Sequence, residues 1–389
     1  MVLQGGKKVM DFGLTREQEL VRQMVKEFAV NEVKPIAAEI DETERFPMEN
    51  VKKMGELGMM GIPFPKELGG SGGDVLSYII AVEELSKVCA TTGVILSAHT
   101  SLCASLLYEN GTPAQKEKYL VPLAKGEKIG AFGLTEPGAG SDASAGTTTA
   151  VKDGDEWVLN GRKCFITNGG IASFYCITAM TDKTKGVKGI SMFLVDAGTP
   201  GLSTGNEENK MGIRTSNTCD VVLEDCRIPA ANLVGEEGRG FSIAMKTLDQ
   251  ARAWMGCVAT GIAQRGINEG IAYAKERVQF GKPVIKNQAM QFKVADMEIK
   301  TETARQMVAH ALTKMDMGLP HSKEAAIAKC YASDIAMEVA SEAIQMFGGY
   351  GYSIEYPVEK LLRDAKIFQI FEGSNEIQRI VVANNTIGR

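Results

Sequence analysis

TTTAVKDGDEWVLNGRKCFIT, residues Thr147–Thr167, carries β-type sequence in a chain that is otherwise largely helical in pattern. Thr147–Val151 and Trp157–Leu159 are short runs rich in β-branched and aromatic residues. Asp153-Gly154 between them is a hairpin signal, because these two residue types tolerate the positive φ of a tight two-residue turn. Asn160-Gly161, just ahead of Lys163–Thr167, is a second signal of the same kind. Ile190–Val195 and Val221–Leu223 add strands, and Gly and Pro punctuate the chain up to Gly238. Residues 131–237 therefore read as a small β-barrel or sandwich domain.

Outward from this stretch the pattern is helical on both sides. Towards the N-terminus, Thr15-Arg16-Glu17-Gln18 has the form of a capping box, and Leu20, Val21, Met24, Val25 and Phe28 follow on one helical face. Pro35 must bend or stop that helix. A second helix fits Met48 to Leu57 and ends at Gly58. Gly69-Gly70-Ser71-Gly72-Gly73 reads as a connector, since no phosphate-loop pattern accompanies it. Helical patterns resume over Leu76–Ser86 and around Ala114–Lys125. From Phe241 onward helices return, with Ala259–Glu276, Ala289–Met315 and Lys323–Met346 long enough for a bundle. The expected fold class is α+β: an N-terminal helical domain (1–130), a middle β domain (131–237) and a C-terminal four-helix bundle (238–389).

Composition narrows the function. A chain of 389 residues with 44% hydrophobic and 23% charged residues reads as a soluble globular protein of roughly two to three domains. A net charge of −5 offers no basic face for nucleic acid. The eight cysteines form no C-x-x-C and no zinc-ligand spacing, so a reducing compartment is expected. The three histidines, His99, His310 and His321, do not cluster, which argues against a His triad or a His metal site. No targeting segment and no membrane span is read, so the expected location is cytoplasmic, with no membrane partner.

Glu372 is the candidate catalytic group. It precedes Gly373 and Ser374 and follows Ile367, Phe368, Ile370 and Phe371. A carboxylate buried in such surroundings has its charged form disfavoured and its pKa raised towards neutrality, which suits removal of a weakly acidic C–H proton. The alternative is a helix-terminal Glu on a solvated face.

Two further stretches carry a resemblance. Gly133-Leu134-Thr135-Glu136-Pro137-Gly138-Ala139-Gly140-Ser141-Asp142, and Gln345-Met346-Phe347-Gly348-Gly349-Tyr350-Gly351-Tyr352 continuing through Glu355, Lys360 and Asp364, join Glu372-Gly373-Ser374 in one chain. Together they closely resemble the acyl-CoA dehydrogenases, in particular bacterial short-chain, butyryl-CoA-type members, over essentially the whole chain from about Met10. The resemblance implies FAD as cofactor and conversion of an acyl-CoA thioester to trans-2-enoyl-CoA. Glu372 would take the α-proton while flavin N5 accepts the β-hydride. The Glu372 backbone N–H and a ribitol hydroxyl would polarise the thioester carbonyl.

The same resemblance distributes the remaining site residues. Phe132, Leu134, Thr135, Gly140 and Ser141 would place small residues and backbone N–H groups against the flavin, with Phe165, Ile166 and Thr167 on a second flavin strand. Phe165 would cover a ring face and Thr167 would bond near N5; for Phe165, β-core packing is the competing reading. Arg277 would reach the FAD pyrophosphate of a neighbouring subunit, with Gln279, Phe280 and Gln288 along the adenosine. Gln345, Gly348, Gly349, Ser374 and Glu376 complete the cofactor set. Ser141, Asp249, Arg252, Trp254 and Gly373 would face the acyl-CoA, unless Asp249 and Arg252 form a structural salt bridge.

Some family members carry their base at the position of Ala251, which cannot abstract a proton, and this strengthens Glu372. Trp254 stands where butyryl-type relatives carry a small or aliphatic residue, so a branched, cyclic or aryl acyl group is an expectation, with Gly256 opening compensating space. Packing in the helix interface is the other reading of Trp254. Phe371 replaces a Tyr common before the base and leaves drier surroundings.

The implied partners are electron-transferring flavoprotein and further copies of the chain in a homotetramer, a dimer of dimers. Two other readings are an enoyl-CoA reductase working with a bifurcating flavoprotein and a non-catalytic flavin-binding accessory protein.

Overall fold

The computed structural model describes residues 13–388 and, as backbone, the paired strands β1 (Val2–Gln4) and β2 (Lys7–Val9). Helix α1 (Arg16–Phe28) begins at the capping box read from the sequence: Thr15 Oγ1 accepts from the Gln18 N–H, and Gln18 Oε1 accepts from the Thr15 N–H. Val25 and Phe28 of its apolar face are buried, whereas Leu20 is exposed. The helix ends at Phe28, where a wide turn over Ala29–Val33 and a tight one over Lys34–Ile36 lead through Pro35 into a short helix, Ala37–Thr43. Met48–Glu56 is the second expected helix, closed by Gly58 at φ 71°.

Helix α2 (Val75–Ser86) is capped by Asp74, which also accepts from Gln18 Nε2 and so locks the two helix starts together. Next comes α3 (Ala90–Asn110), a helix with no counterpart in the sequence reading. It is buried on nearly every side and scatters Thr91, Thr92, Ser97, His99, Thr100 and Ser101 among its apolar residues, so it carries no amphipathic period. It is the one helix among the described residues long and apolar enough to cross a membrane, but 94% of that stretch is buried inside the protein. Its place is the pattern of a core helix.

The chain then enters one eight-stranded sheet. Its strands are β3 (Gly130–Gly133), β4 (Thr149–Asp153), β5 (Glu156–Thr167), β6 (Phe174–Met180), β7 (Ile190–Asp196), β8 (Leu202–Glu207), β9 (Thr218–Pro229) and β10 (Leu233–Val234). The order is β10-β7-β6-β4-β5-β9-β8, with β3 parallel to β6. Asp153 pairs with Glu156 across Gly154-Asp155, so the first hairpin signal is a hairpin. Asn160-Gly161 is not one. β5 runs straight through it, and the register against β9 shifts between Leu159 and Gly161. Asn160 Oδ1 accepts from the Asp225 N–H opposite, and a Cβ at Gly161 would lie 2.7 Å from Thr148 Cα. The pair is a bulge in a long strand, where the same two residues serve a close approach rather than a reversal.

Four helices form the C-terminal part: α4 (Gly240–Glu276), α5 (Gln288–Asp316), α6 (Ser322–Phe347) and α8 (Asn375–Ile387), with α7 (Val358–Lys366) leading into α8. Ala325, Ala328, Ala332, Ala336 and Ala340 form a buried stripe on α6 that lets its neighbours approach closely. One core joins this bundle to the N-terminal helices and includes Val25, Tyr78, Val82, Trp254, Val258 and Phe368. A second core, around Trp157, Leu159, Ile177, Phe193 and Val221, belongs to the sheet. A third fills the seam between sheet and helices, with Leu107, Phe174, Met192 and Ile243.

Candidate active site

Glu372 sits in the turn between α7 and α8. Helix α7 is anchored at two places: Asp364 Oδ1 accepts from the Ile213 N–H at 2.6 Å, and Arg363 and Lys360 pair with Asp41 at 2.9 Å and 3.6 Å. This holds the following segment, Ile367–Ser374, against the bundle. Glu372 adopts φ 54° and Gly373 φ 92°, so two successive residues lie in the left-handed region, which is costly for a residue with a Cβ. The turn is held by side chains from elsewhere. Arg252 Nε donates to the Glu372 carbonyl at 3.4 Å, and Gln378 Nε2 donates to the Gly373 carbonyl at 2.8 Å.

The carboxylate itself is almost without partners. As a residue Glu372 keeps partial exposure, but its Oε2 is buried and has no hydrogen bond. Burial pushes its pKa up to about 7, against the opposing charges of Lys329 and Arg252. Tyr78 is close enough to feel this charge, and its hydroxyl donates to the Leu96 carbonyl at 3.0 Å. The Tyr78 ring lies against Trp254 with centroids 4.5 Å apart. The arrangement is a desolvated base with a proton affinity near neutrality, beside an aromatic wall.

Around this base the expected acyl-CoA residues divide. Arg252 is buried and pairs with Asp249 at 2.5 Å, so the structural salt bridge is what the structure shows, and Arg252 is directed to the base turn. Trp254 is 2% exposed, packed in the core, with its indole Nε1 unpartnered. Gly256 does not open compensating space: a Cβ there would meet Val308 Cγ2 at 2.7 Å. Phe371 packs edge-on against Phe368.

A second group of expected residues lines one cleft of about 580 Å³. Arg277, Gln279, Gln345, Gly348 and Gly349 meet there with Tyr273 and Tyr350. The Arg277 guanidinium lies over the Tyr350 ring at 5.5 Å and forms no ion pair among the described residues. Nothing stands within 4 Å of a Cβ built at Gly348 or Gly349, so their backbone is open to a ligand. Phe280 is 98% exposed at the tip of the small hairpin formed by β11 (Val278–Gln279) and β12 (Lys282–Pro283). Gln288, Glu376 and Gln345 are exposed.

The third group lies on the sheet. Phe132 is on β3, and Gly140 and Ser141 lie on an exposed turn, with open space around Gly138 and Gly140. Phe165 is 66% exposed at φ 56°, within the second register shift of β5, so it is not a core residue. Thr135 and Thr167 are partly exposed, as is Ser374 ahead of α8. Leu134 and Ile166 are buried in the cores behind, so their side chains do not face this surface.

A buried ion pair holds the turn. Lys163 and Glu136 meet at 2.7 Å with both side chains almost wholly buried. Lys163 Nζ also donates to the Leu134 carbonyl, and Glu136 accepts from the N–H groups of Thr147 and Thr148. Burial works against the Glu136 charge, but Lys163 and these donors outweigh it and its pKa falls to about 2. Burial also draws Lys163 below its usual value, which Glu136 opposes.

The sequence reading passed over Tyr78, Lys163, Gln378 and Lys329. For Lys329 a signal existed: a lysine among Ala325, Ala326, Ala328 and Ala332 is a charge on a buried helix face.

Comparison with known proteins gives the same picture. The chain matches the acyl-CoA dehydrogenase N-terminal domain over residues 15–127, the middle domain over 131–226 and the C-terminal domain over 238–387. It is 62% identical over 374 residues to a short-chain-specific acyl-CoA dehydrogenase of Clostridium acetobutylicum, covering 96% of this chain and 99% of that one. The solved butyryl-CoA dehydrogenase of Megasphaera elsdenii superposes with a TM-score of 0.96 at 49% identity, covering 97% and 100% of the two chains. A chain solved in work on the electron-transferring flavoprotein of Acidaminococcus fermentans and flavin-based electron bifurcation gives 0.96 at 51%, covering 98% and 100%. With all three domains matched in order and full-length relatives above 30% identity, the chain belongs to the acyl-CoA dehydrogenase family.

Proposed function

We propose that this protein is an FAD-dependent dehydrogenase that converts short-chain acyl-CoA thioesters to trans-2-enoyl-CoA, with Glu372 taking the α-proton. The carrying observation is the Glu372 carboxylate, whose Oε2 is buried, unpartnered and tuned to a pKa of about 7 in a chain of this family. A general base works best when its proton affinity lies near the working pH.

The residues present fit FAD. The unpaired Arg277 in its cleft suits an anionic diphosphate, and the open Gly348-Gly349 backbone permits close approach. The exposed Phe165 and the open turn at Gly138–Ser141 suit a flat ring system. When bound, FAD supplies the acceptor for the β-hydrogen, which departs as hydride. The chain's own part is to hold the thioester, to exclude water and to take the α-proton on Glu372. Its C–H electron pair becomes the new C=C bond. Arg252 and Gln378, by holding the Glu372 and Gly373 carbonyls, keep that carboxylate in place.

Arg277, Gln279 and Phe280 project from the outer end of the bundle, which supports contact with a neighbouring subunit's cofactor. A homotetramer is part of the reading, and α5 leaves Phe292 and Ile299 exposed as apolar contacts for another copy. Electron-transferring flavoprotein is assigned as the partner that takes the electrons onward, a reading the Acidaminococcus relative supports. The eight cysteines, free and mostly buried, support a cytoplasmic setting.

Trp254 and Tyr78 are assigned as the closed end of the acyl site, which explains a short substrate. Anaerobic bleaching of the flavin by a panel of straight, branched, cyclic and aryl acyl-CoAs tests both readings. The wild type should respond to short acyl groups. Trp254→Gly should raise the relative response to longer or bulkier ones by roughly tenfold or more, the range set by one to two methylenes in an apolar pocket. An unbleached flavin with every thioester would refute the function, and an unchanged preference in Trp254→Gly would refute the wall.

A further inference from the structure

Lys329 projects from the buried face of α6 and is 1% exposed. It forms no ion pair among the described residues. Instead its Nζ donates to two neutral oxygens, the Gly373 carbonyl at 2.8 Å and Asn375 Oδ1 at 3.0 Å. Asn375 is fixed in turn, donating to Ser333 Oγ at 2.9 Å and Asp334 Oδ1 at 2.8 Å. An ammonium in such a place is expensive to bury without a counter-charge. The counter-charge is Glu372, the largest influence holding Lys329 charged against burial. The carbonyl that Lys329 holds belongs to Gly373, the residue next to Glu372 in the chain.

We propose that Lys329 is a positioning residue for the Glu372 base: from α6 it fixes the left-handed Glu372-Gly373 turn and presents a buried positive charge that keeps the carboxylate ionised when substrate displaces water. This rests on the reading of Glu372 as the base. Other groups facing Glu372 are Arg252 on α4, already paired with Asp249, and Tyr78 on α2. Glu376 and Arg379 lie on α8, and Asp334 and Cys330 on α6 act on Lys329 rather than on the carboxylate. Among these Lys329 exerts the largest opposing influence on the Glu372 proton. Gln378 holds the same Gly373 carbonyl without charge, so the turn has a second anchor and the charge of Lys329 is its distinctive contribution.

The test is the pH profile of flavin reduction by a short acyl-CoA in the FAD-loaded enzyme. Lys329→Gln retains a donor for Gly373 without the charge, and Lys329→Met removes both. In each, the acidic limb should move up by about one pH unit, so that reduction below the limb falls roughly tenfold. Lys329→Arg should keep the limb near the wild-type position. A limb that stays in place in Lys329→Gln would overturn the proposal and leave a purely structural lysine. Where the neutral variants fail to hold FAD, the reciprocal effect decides. Glu372→Gln should lower the proton affinity of Lys329, read from its Nζ resonance in lysine-labelled enzyme, and an unmoved resonance overturns the proposal. Failure of the base assignment shows separately, as Glu372→Gln with wild-type flavin reduction.

Discussion

Glu372→Gln is expected to slow flavin reduction by a short acyl-CoA by about 10²–10⁴-fold, the span of positioned general-base catalysis, while FAD content stays that of the wild type. Gln keeps the volume of Glu and changes only its ability to accept the α-proton. Ala251 leaves no carboxylate at the alternative position on α4, so no neighbour takes over. Anaerobic stopped flow at saturating substrate measures the loss, and a wild-type rate would contradict the assignment. The same substitution should act oppositely on stability. The folded pKa of about 7 lies above the ordinary 4.5. The native state therefore holds this proton more tightly, and the associated stability is fully present below pH 4.5 and lost as pH rises through 7. Glu372→Gln removes the cost of ionising a buried carboxylate. It should raise the melting temperature at pH 8 and leave it nearly unchanged at pH 4.5; equal effects at both would show that burial does not raise the proton affinity of the carboxylate.

Lys163→Met is expected to destabilise the protein by about 3–5 kcal/mol, the cost of leaving one partner of a buried pair unpaired. Glu136 would remain buried among the Thr147 and Thr148 donors with its cation removed. The turn Gly133–Asp142 would lose the bond from Lys163 to the Leu134 carbonyl. FAD should accordingly dissociate faster. Adding Glu136→Gln should recover much of the loss, because the double variant buries no unpaired charge. Urea unfolding followed by circular dichroism gives the comparison. A loss below about 1 kcal/mol in Lys163→Met would show that the pair is no stronger than a surface ion pair.

What could be read from the chain alone depended on how local its cause was. The Thr15–Gln18 cap and the Asp153-Gly154 hairpin lie within a few residues of their own signals, and both are present as read. Asn160-Gly161 carries the same local chemistry, but pairing with β9, some sixty residues away in sequence, makes it a bulge. Helix α3 escaped because a helix buried all round has no polar face to mark its period. At the site, the apolar flanks of Glu372 allowed a buried carboxylate beside the alternative of a solvated one, and its Oε2 is buried. The charges that oppose burial there, Lys329 and Arg252, come from two other helices, and nothing local to residue 372 points to them. For Arg252 the family resemblance left two readings, a contact to acyl-CoA and a salt bridge with Asp249. Its pairing with Asp249 one helical turn away is an i, i+3 contact that the sequence also contained.

Removal of the α-proton of a short acyl-CoA by Glu372 can be followed as hydrogen exchange at that carbon. FAD-loaded enzyme and butyryl-CoA are mixed anaerobically in D₂O, and deuterium in the recovered thioester is measured by mass spectrometry. The wild type is expected to place deuterium at the α-carbon, and Glu372→Gln, at equal FAD content, to do so at least about a hundredfold more slowly. Exchange in Glu372→Gln at the wild-type rate would contradict this role of Glu372.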